Sequence, residues 1–292
     1  GIYMQDARQD AVTPGLPEML EALMVVARNA GAAILEIYGR EDLGVESKSD
    51  DSPLTAADLA ANRVILAGLQ AIAPQVPVLS EEDEALPFSE RQDWQSYFLV
   101  DPLDGTKEFI SRNGEFTVNI ALVDDGVPVL GVVYVPVLNV LYAGFSSPGE
   151  LPVAFVERAG SRQKIQVRPL APRLAAGEPL AVVASRRHSS PEMALCMASL
   201  EKHFAGVATV NMGSSLKLCL IAEGAADLYP RLAPTSEWDT AAAHAVVCAA
   251  GGEVVDVHLE PLRYNRKAGL LNPYFYVLGD TDFDWRKVLL DI

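Results

Sequence analysis

The sequence is poor in the residues that build many familiar sites. It has three cysteines, Cys196, Cys219 and Cys248, widely spaced, with no CxxC, and each in an apolar stretch. That excludes a disulfide framework and a thiolate zinc site; the three read as buried free thiols in a reducing compartment. Its four histidines, His188, His203, His244 and His258, fall at no ligand spacing. HExxH, a GxxxxGK[ST] phosphate loop and a GxSxG elbow are all missing. Positive charge is scarce too: 23 Lys and Arg against 39 Asp and Glu leave a formal charge of −16. A nucleic-acid backbone needs clustered basic residues, so a nucleic-acid partner is excluded. A small anion is not, because a bound metal can invert the local field. No basic region leading into an apolar core opens the chain, so no secretory leader is expected. One stretch without charge, 126–149, is interrupted by Pro128, Pro136, Asn139 and Pro148. It reads as a hairpin turning at 136–139, not as a membrane span.

What is present is globular. Half of the 292 residues are hydrophobic, enough for a sizeable core and for two lobes. Apolar spacing predicts helices over 16–38, from about 56 to 72, over 191–203, over 216–223 and from Trp238 to Ala250, where Gly251 and Gly252 stop the last. The alanines of that last helix allow close packing. Short strands are expected at 76–79, 97–100, 116–123, within 127–142, at 180–184, 207–211 and 226–229. The stretch 44–52 and the polar run from Arg231 to Glu237 read as loops. The segment 169–179, rich in Pro, Ala and Gly, divides an N-terminal α+β lobe, 1–168, from a C-terminal α/β lobe, 169–292.

The chemistry gathers around Tyr97-Phe98-Leu99-Val100-Asp101-Pro102-Leu103-Asp104-Gly105-Thr106. An apolar run reads as a buried strand that stops at Asp101-Pro102, because proline has no N–H for a ladder. Asp104-Gly105 then reads as a tight turn. Two like charges ~4 Å apart repel by about 4 kcal/mol at an effective dielectric of about 20, and a cation between them removes that cost. The plain alternative is that Asp-Gly turns the chain and Asp101 caps it.

Three more carboxylates carry a similar choice. Asp58 follows Thr55 at capping-box spacing, which explains it structurally. Glu81 is the first residue after a strand, where side chains of a site are well positioned; Glu82, Asp83 and Glu84 read as solvated surface. Asp239 starts a helix, where an N-cap role is the plain reading, yet Trp238 beside it buries the surroundings. With histidine and cysteine set aside, a site built on these carboxylates favours hard cations such as Mg²⁺ or Mn²⁺.

Taken together, Asp101-Pro-Leu-Asp-Gly-Thr106, preceded by Ser80-Glu-Glu82 and followed by Trp238-Asp-Thr-Ala-Ala242, resemble the inositol monophosphatase superfamily. The likeness runs from about Lys48 to Gly252. Lys48 to Asp58, Gly105 to Ile110, Arg112 to Leu122, Gly213-Ser-Ser-Leu-Lys217 and Asp227-Leu-Tyr-Pro-Arg231 are similar to its bisphosphate nucleotidase branch. Ala243 stands where the family commonly has glycine, and Arg187-His188 is not a residue-for-residue match.

The resemblance implies an α/β fold of mixed α+β type, a layered α/β/α/β/α sandwich of two lobes with the site between them. It implies Mg²⁺-dependent hydrolysis of the 3′-phosphate of adenosine 3′,5′-bisphosphate, with 3′-phosphoadenylyl sulfate a second substrate, in sulfate assimilation, and inhibition by lithium. Two or three Mg²⁺ ions are implied, with Mn²⁺ a substitute. Asp101 would bridge two metals. Glu81 and the Leu103 carbonyl would complete the first, and Asp104 and Asp239 would hold the second. Gly105 and Thr106 N–H groups would face phosphate, and Asp58 with Thr106 would activate water that Glu81 orients. Glu81, Leu103, Asp104, Gly105, Thr106 and Asp239 would also bind substrate, along with Ser214, Lys217 and Arg231; for Lys217 and Arg231 the alternative is surface solubility. A small nucleotide bisphosphate is the expected partner, the chain a monomer or homodimer, cytoplasmic, with any membrane contact peripheral at the inner membrane. Two readings compete: an inositol monophosphatase or sugar bisphosphatase of the same superfamily, and a non-catalytic metal-dependent binding protein.

Overall fold

A computed structural model describes residues 13–48, 53–84, 86–185 and 190–289. The readings placed on Ser49 to Ser52 and on Arg186 to His188 lie outside the described residues.

The chain opens with helix α1, Leu16–Tyr38, and a two-stranded ribbon, β1 at Glu46–Ser47 and β2 at Pro53–Leu54. Helix α2, Ala56–Ile72, β3, Val78–Ser80, the turn α3, Phe88–Arg91, and β4, Ser96–Asp104, follow, then the short α4, Thr106–Ile110. Strands β5, Thr117–Asp124, β6, Val127–Val135, β7, Val140–Phe145, β8, Val153–Arg158, and β9, Ser161–Lys164, complete a seven-stranded sheet ordered β3 to β9. After α5, Ala171–Ala175, come β10, Leu180–Ser185, α6, Pro191–His203, β11, Val207–Met212, α7, Leu216–Ala222, and β12, Leu228–Arg231. Helix α8, Glu237–Ala249, β13, Glu253–Asp256, β14, Phe275–Leu278, and α9, Arg286–Leu289, end it. The second sheet has five strands in the order β11-β10-β12-β14-β13.

Alternation along the strands sets the layers. In β4, Phe98 and Val100 join a core with α1 and α2, while Tyr97 and Leu99 join another with α7 and α8. In β10, Ala181 and Val183 face that same central layer, while Leu180 and Val182 pack with Cys196 and Leu200 of α6 and with Val288 of α9. A period of two buries both faces of a sheet when helices cover both. The result is the α/β/α/β/α sandwich that the resemblance implies. The two helices of its middle layer, α7 and α8, lie between the sheets. Among the described residues no helix is long and apolar enough to cross a membrane.

Helix α8 approaches the first sheet at contact distance. A Cβ on Gly131 of β6 would lie 2.0 Å from the Ala242 carbonyl oxygen, so only glycine fits there. The alanines of α8 make this approach possible, as its composition indicates.

Several local expectations are corrected. Strand β4 does not stop at Pro102 but runs on to Asp104. Its pairing with β5 passes from Asp101↔Asn119 to Asp104↔Thr117, three residues against two. Pro102 falls inside that bulge, where no ladder bond is required of its missing N–H. The segment 44–52 is not all loop, because β1 pairs with β2. Arg231 belongs to β12, not to the following loop. Cys196 and Cys219 are buried and free, and Cys248 is free but only partly buried.

Candidate active site

The site starts at the ends of two parallel strands. Ser80 of β3 lies beside Val100 of β4, and the Glu81 N–H donates to the Val100 carbonyl at 3.1 Å. Glu81 therefore leaves the sheet next to Asp101. The Asp101 side chain turns back to accept the Leu103 N–H at 3.2 Å, and the residue is 1 % exposed. Leu103 spends its side chain on the core with Phe109 and Phe116, so any role at the site falls to its backbone carbonyl. Gly105 follows at φ 89°, ψ 47°, a left-handed conformation that suits glycine, and from it α4 begins at Thr106.

Asp239 arrives from the other side. Ser236, not Asp239, is the N-cap of α8; Asp239 is the third helical residue and its Oδ2 accepts the Ser236 N–H at 2.8 Å. Asp58 repeats this arrangement at the start of α2, where its Oδ2 accepts both the Thr55 N–H, at 2.8 Å, and the Thr55 hydroxyl, at 2.5 Å. Its Oδ1 accepts the Thr106 hydroxyl at 3.0 Å. Capping and site chemistry are thus compatible explanations for both residues. A carboxylate has two oxygens, and the cap uses one.

Glu81, Asp101 and Asp239 each place an oxygen so that all three lie within 4.8 Å of one another. Asp104 lies outside this triad. Its Oδ2 accepts the Ser215 N–H at 2.7 Å, and it faces Asp239 and Lys217 across a cavity of about 100 Å³. Burial, then Glu81, Asp104 and Asp239, push the Asp101 carboxyl well above the usual carboxylate range. Burial and Asp239 do the same to Asp104, against Lys217 and the Ser215 N–H. Asp239 is pushed up to about 6 by burial and Glu81, against the Ser236 N–H. Three oxygens this close, all hard donors, fit a divalent cation such as Mg²⁺ and relieve their mutual repulsion when one binds.

The cavity beyond Asp104 and Asp239 is lined by Ser214, Lys217 and Arg231. Ser214 sits at φ 54°, and its buried hydroxyl has no hydrogen-bond partner, nor has the buried Arg231 Nε. Lys217 is 8 % exposed; burial and Arg231 bring its ammonium down to about 8, against Asp104, Glu108 and Asp239. The surface-solubility alternative therefore fails for Lys217, which is a buried cation.

Sequence reasoning missed other parts. Glu82 is not solvated: its side chain is 3 % exposed and takes the Lys48 ammonium at 2.7 Å, while Lys48 also reaches Glu81 at 3.4 Å. Asp83 is exposed, as the sequence indicates, and accepts from Asn62 of α2 at 3.0 Å. The acid run hides this because nothing local separates a buried glutamate from exposed neighbours. Thr117 and Asn119 of β5 both hydrogen-bond the Ser215 hydroxyl at 2.7 Å, which fixes the N–H aimed at Asp104. His244, given no role, is buried against the Tyr264 hydroxyl at 2.9 Å and is pushed down to about 3 by burial and Arg263.

The profile of the inositol monophosphatase family matches residues 16–279. A 3′(2′),5′-bisphosphate nucleotidase CysQ of Escherichia coli K12 is 52% identical over 260 residues, 89% of this chain and 99% of that one. A protein of the same name from Buchnera aphidicola is 42% identical, over 89% of this chain and 93% of its own. Among solved structures, CysQ from Bacteroides thetaiotaomicron superposes with a TM-score of 0.77 at 42% identity, covering 90% of this chain and 97% of that one.

Proposed function

As a chain that belongs to the inositol monophosphatase family, this protein is, we propose, a divalent-metal-dependent 3′(2′),5′-bisphosphate nucleotidase that releases the 3′-phosphate of adenosine 3′,5′-bisphosphate. The observation that supports the reading is the pairing of two unlike features. The acidic triad of Glu81, Asp101 and Asp239 adjoins a cavity furnished with Ser214, Lys217 and Arg231. A bisphosphate carries two anionic groups, and these features offer two places for them; an inositol monophosphate needs only one.

The proposed ion is Mg²⁺, two or three per site, with Mn²⁺ a substitute. Asp101 would bridge two ions, Glu81 and the Leu103 carbonyl serving one and Asp104 and Asp239 the other. Bound divalent cations lower the pKa of coordinated water and neutralise charge on the transferring phosphoryl group. The remaining work falls to the chain. The Thr106 hydroxyl donates to Asp58, so its oxygen is left as an acceptor for a proton of the attacking water. Burial first, against the Thr55 and Thr106 donors and Lys48, holds the Asp58 carboxyl above its usual range and readies it to accept the Thr106 hydroxyl proton as Thr106 takes one from the water. Glu81 would orient the water. The N–H groups of Gly105 and Thr106, at the start of a helix, would face the phosphate. Ser214, Lys217 and Arg231 would take the second phosphate. 3′-Phosphoadenylyl sulfate fits the same two places. This reading keeps the division into lobes at 168/169, a cytoplasmic location in sulfate assimilation and sensitivity to lithium.

The test is phosphate release from adenosine 3′,5′-bisphosphate, inositol 1-phosphate and a sugar bisphosphate, each with and without Mg²⁺. Faster turnover of inositol 1-phosphate than of adenosine 3′,5′-bisphosphate overturns the assignment. Absence of Mg²⁺-dependent release from all three leaves the metal-dependent binding protein in its place.

A further inference from the structure

Two full charges are buried beside the first turn of α8. The Glu237 carboxylate and the Arg91 guanidinium are each 1 % exposed. Asn265 joins them. Its backbone N–H donates to Glu237 Oε1 at 2.9 Å, its side-chain amide donates to the Arg91 carbonyl at 2.7 Å, and its Oδ1 accepts from Arg91 Nη1. Asn265 does this from φ 56°, a backbone region uncommon for residues other than glycine but tolerated by asparagine. Arg91 Nη2 also donates to the Ala268 carbonyl at 2.7 Å. The loop then returns across the helix start. The Glu237 N–H donates to the Leu270 carbonyl and the Asn272 N–H to the Thr235 carbonyl, both at 2.8 Å. The Asn272 amide reaches the Ser236 carbonyl and the Thr240 hydroxyl, both at 3.0 Å.

Residues 265–272 therefore wrap the turn that carries Asp239 and are tied by Arg91 to α3, the segment between β3 and β4. Those two strands deliver Glu81 and Asp101. Asp239 comes from a different element, so something must hold α8 in register with the strand ends to within a fraction of an ångström. Buried charges add little net stability compared with apolar packing. What this arrangement supplies is geometry. We propose that Arg91, Asn265 and Glu237 are positioning residues that set the Asp239 carboxylate against Glu81 and Asp101, and so set the affinity of the site for its divalent cation. The proposal rests on the reading of the acidic triad as a metal site.

The experiment is calorimetric titration of Mn²⁺ into chelator-stripped full-length protein, paired with the Mg²⁺ dependence of turnover. Asn265→Gly is the main variant, because glycine adopts this backbone freely and only the side-chain bonds to Arg91 are lost. Its Mn²⁺ dissociation constant and half-saturating Mg²⁺ are expected to rise about 10- to 100-fold, while kcat at saturating Mg²⁺ changes little. Asn265→Asp keeps the acceptor toward Arg91 and is expected to fall between Asn265→Gly and the parent. Leu200→Ala, on the buried face of α6, is the control for a plain loss of stability. An Asn265→Gly affinity within about twofold of the parent overturns the proposal, as does an equal loss in Leu200→Ala. Asp101→Asn separates the two readings. If the parent binds Mn²⁺ and Asp101→Asn does not, the metal site stands and Asn265→Gly alone decides; if the parent binds none, both fall.

Discussion

At the scale of single residues, the proposed chemistry turns on the direction of one hydrogen bond. A hydroxyl that donates its hydrogen bond to a buried carboxylate presents lone pairs elsewhere, and Thr106 does this toward Asp58 at 3.0 Å. Removing the hydroxyl should leave the acidic triad intact. Thr106→Ala is therefore expected to lower kcat by about 10²- to 10⁴-fold, the usual worth of a positioned acid or base, with the Mg²⁺-induced rise in melting temperature unchanged. Thr106→Ser, which keeps the oxygen, should recover most of the rate. Steady-state kinetics and a melting curve on each variant check this. A Thr106→Ala enzyme with full kcat would place water activation elsewhere. Glu81, Asp101, Asp104 and Asp239 were all identifiable as candidates because each stands at the end of a strand or the start of a helix. Glu82 was not, since its partner Lys48 is 34 positions away and no local pattern announces such a contact.

At the scale of elements, close approach and long-range anchoring matter most. The Ala242 carbonyl would lie 2.0 Å from a Cβ at Gly131. Backbone atoms on both sides cannot yield as the tip of a side chain can. Gly131→Ala is expected to cost roughly 1–3 kcal/mol or more by overpacking, read as a lowered midpoint in urea. Asp227 anchors the segment between the sheets: it accepts from Arg168 at 2.8 Å and from Arg173 at 2.7 Å, and is itself 2 % exposed. Asp227→Asn, which takes the shared anion from Arg168 and leaves Arg173 with Glu178 alone, should cost roughly 3–5 kcal/mol. Burial acts to raise the Asp227 carboxyl, but Arg168, the Ala181 N–H and Arg173 outweigh it and hold it below the usual range. Its stabilising contribution is therefore present above the unfolded-state carboxylate range and is lost as pH falls through the lower folded value. The bounds of α1, 16–38, were readable from periodicity alone, and the close packing of α8 from its alanines. The bulge in β4 was not readable, because proline ordinarily ends a strand and only the pairing with β5 shows how it is absorbed. The strap at 265–272 was equally silent, as its meaning lies in what it wraps.

At the scale of the whole molecule, an acidic protein concentrates like charge at its centre and depends on cations to balance it. Asp101, Asp104 and Asp239 all have carboxyls raised above their ordinary range, chiefly by burial and then by neighbouring carboxylates. Without metal the folded chain thus binds more protons than the unfolded chain between the usual carboxylate range and these raised values. Stability contributed by these groups then falls as pH rises through that window, whose upper end for Asp239 is about 6. A divalent cation acts in the opposite sense, since it needs the deprotonated oxygens. Mg²⁺ should therefore raise the melting temperature clearly at about pH 7.5 and hardly at all at about pH 5. Asp101→Asn should separate the two effects. It removes a charge from the triad, so the metal-free variant should melt higher than the metal-free parent at about pH 7.5, by roughly 2–4 °C for each kcal/mol of repulsion relieved. It should also lose the Mg²⁺ increment and the activity, a gain in stability set against function. Melting curves of parent and variant at the two pH values, with Mg²⁺ or with chelator, give all four comparisons. An Mg²⁺ increment in the parent that is the same at both pH values would show that the ion stabilises the protein somewhere other than at Glu81, Asp101 and Asp239.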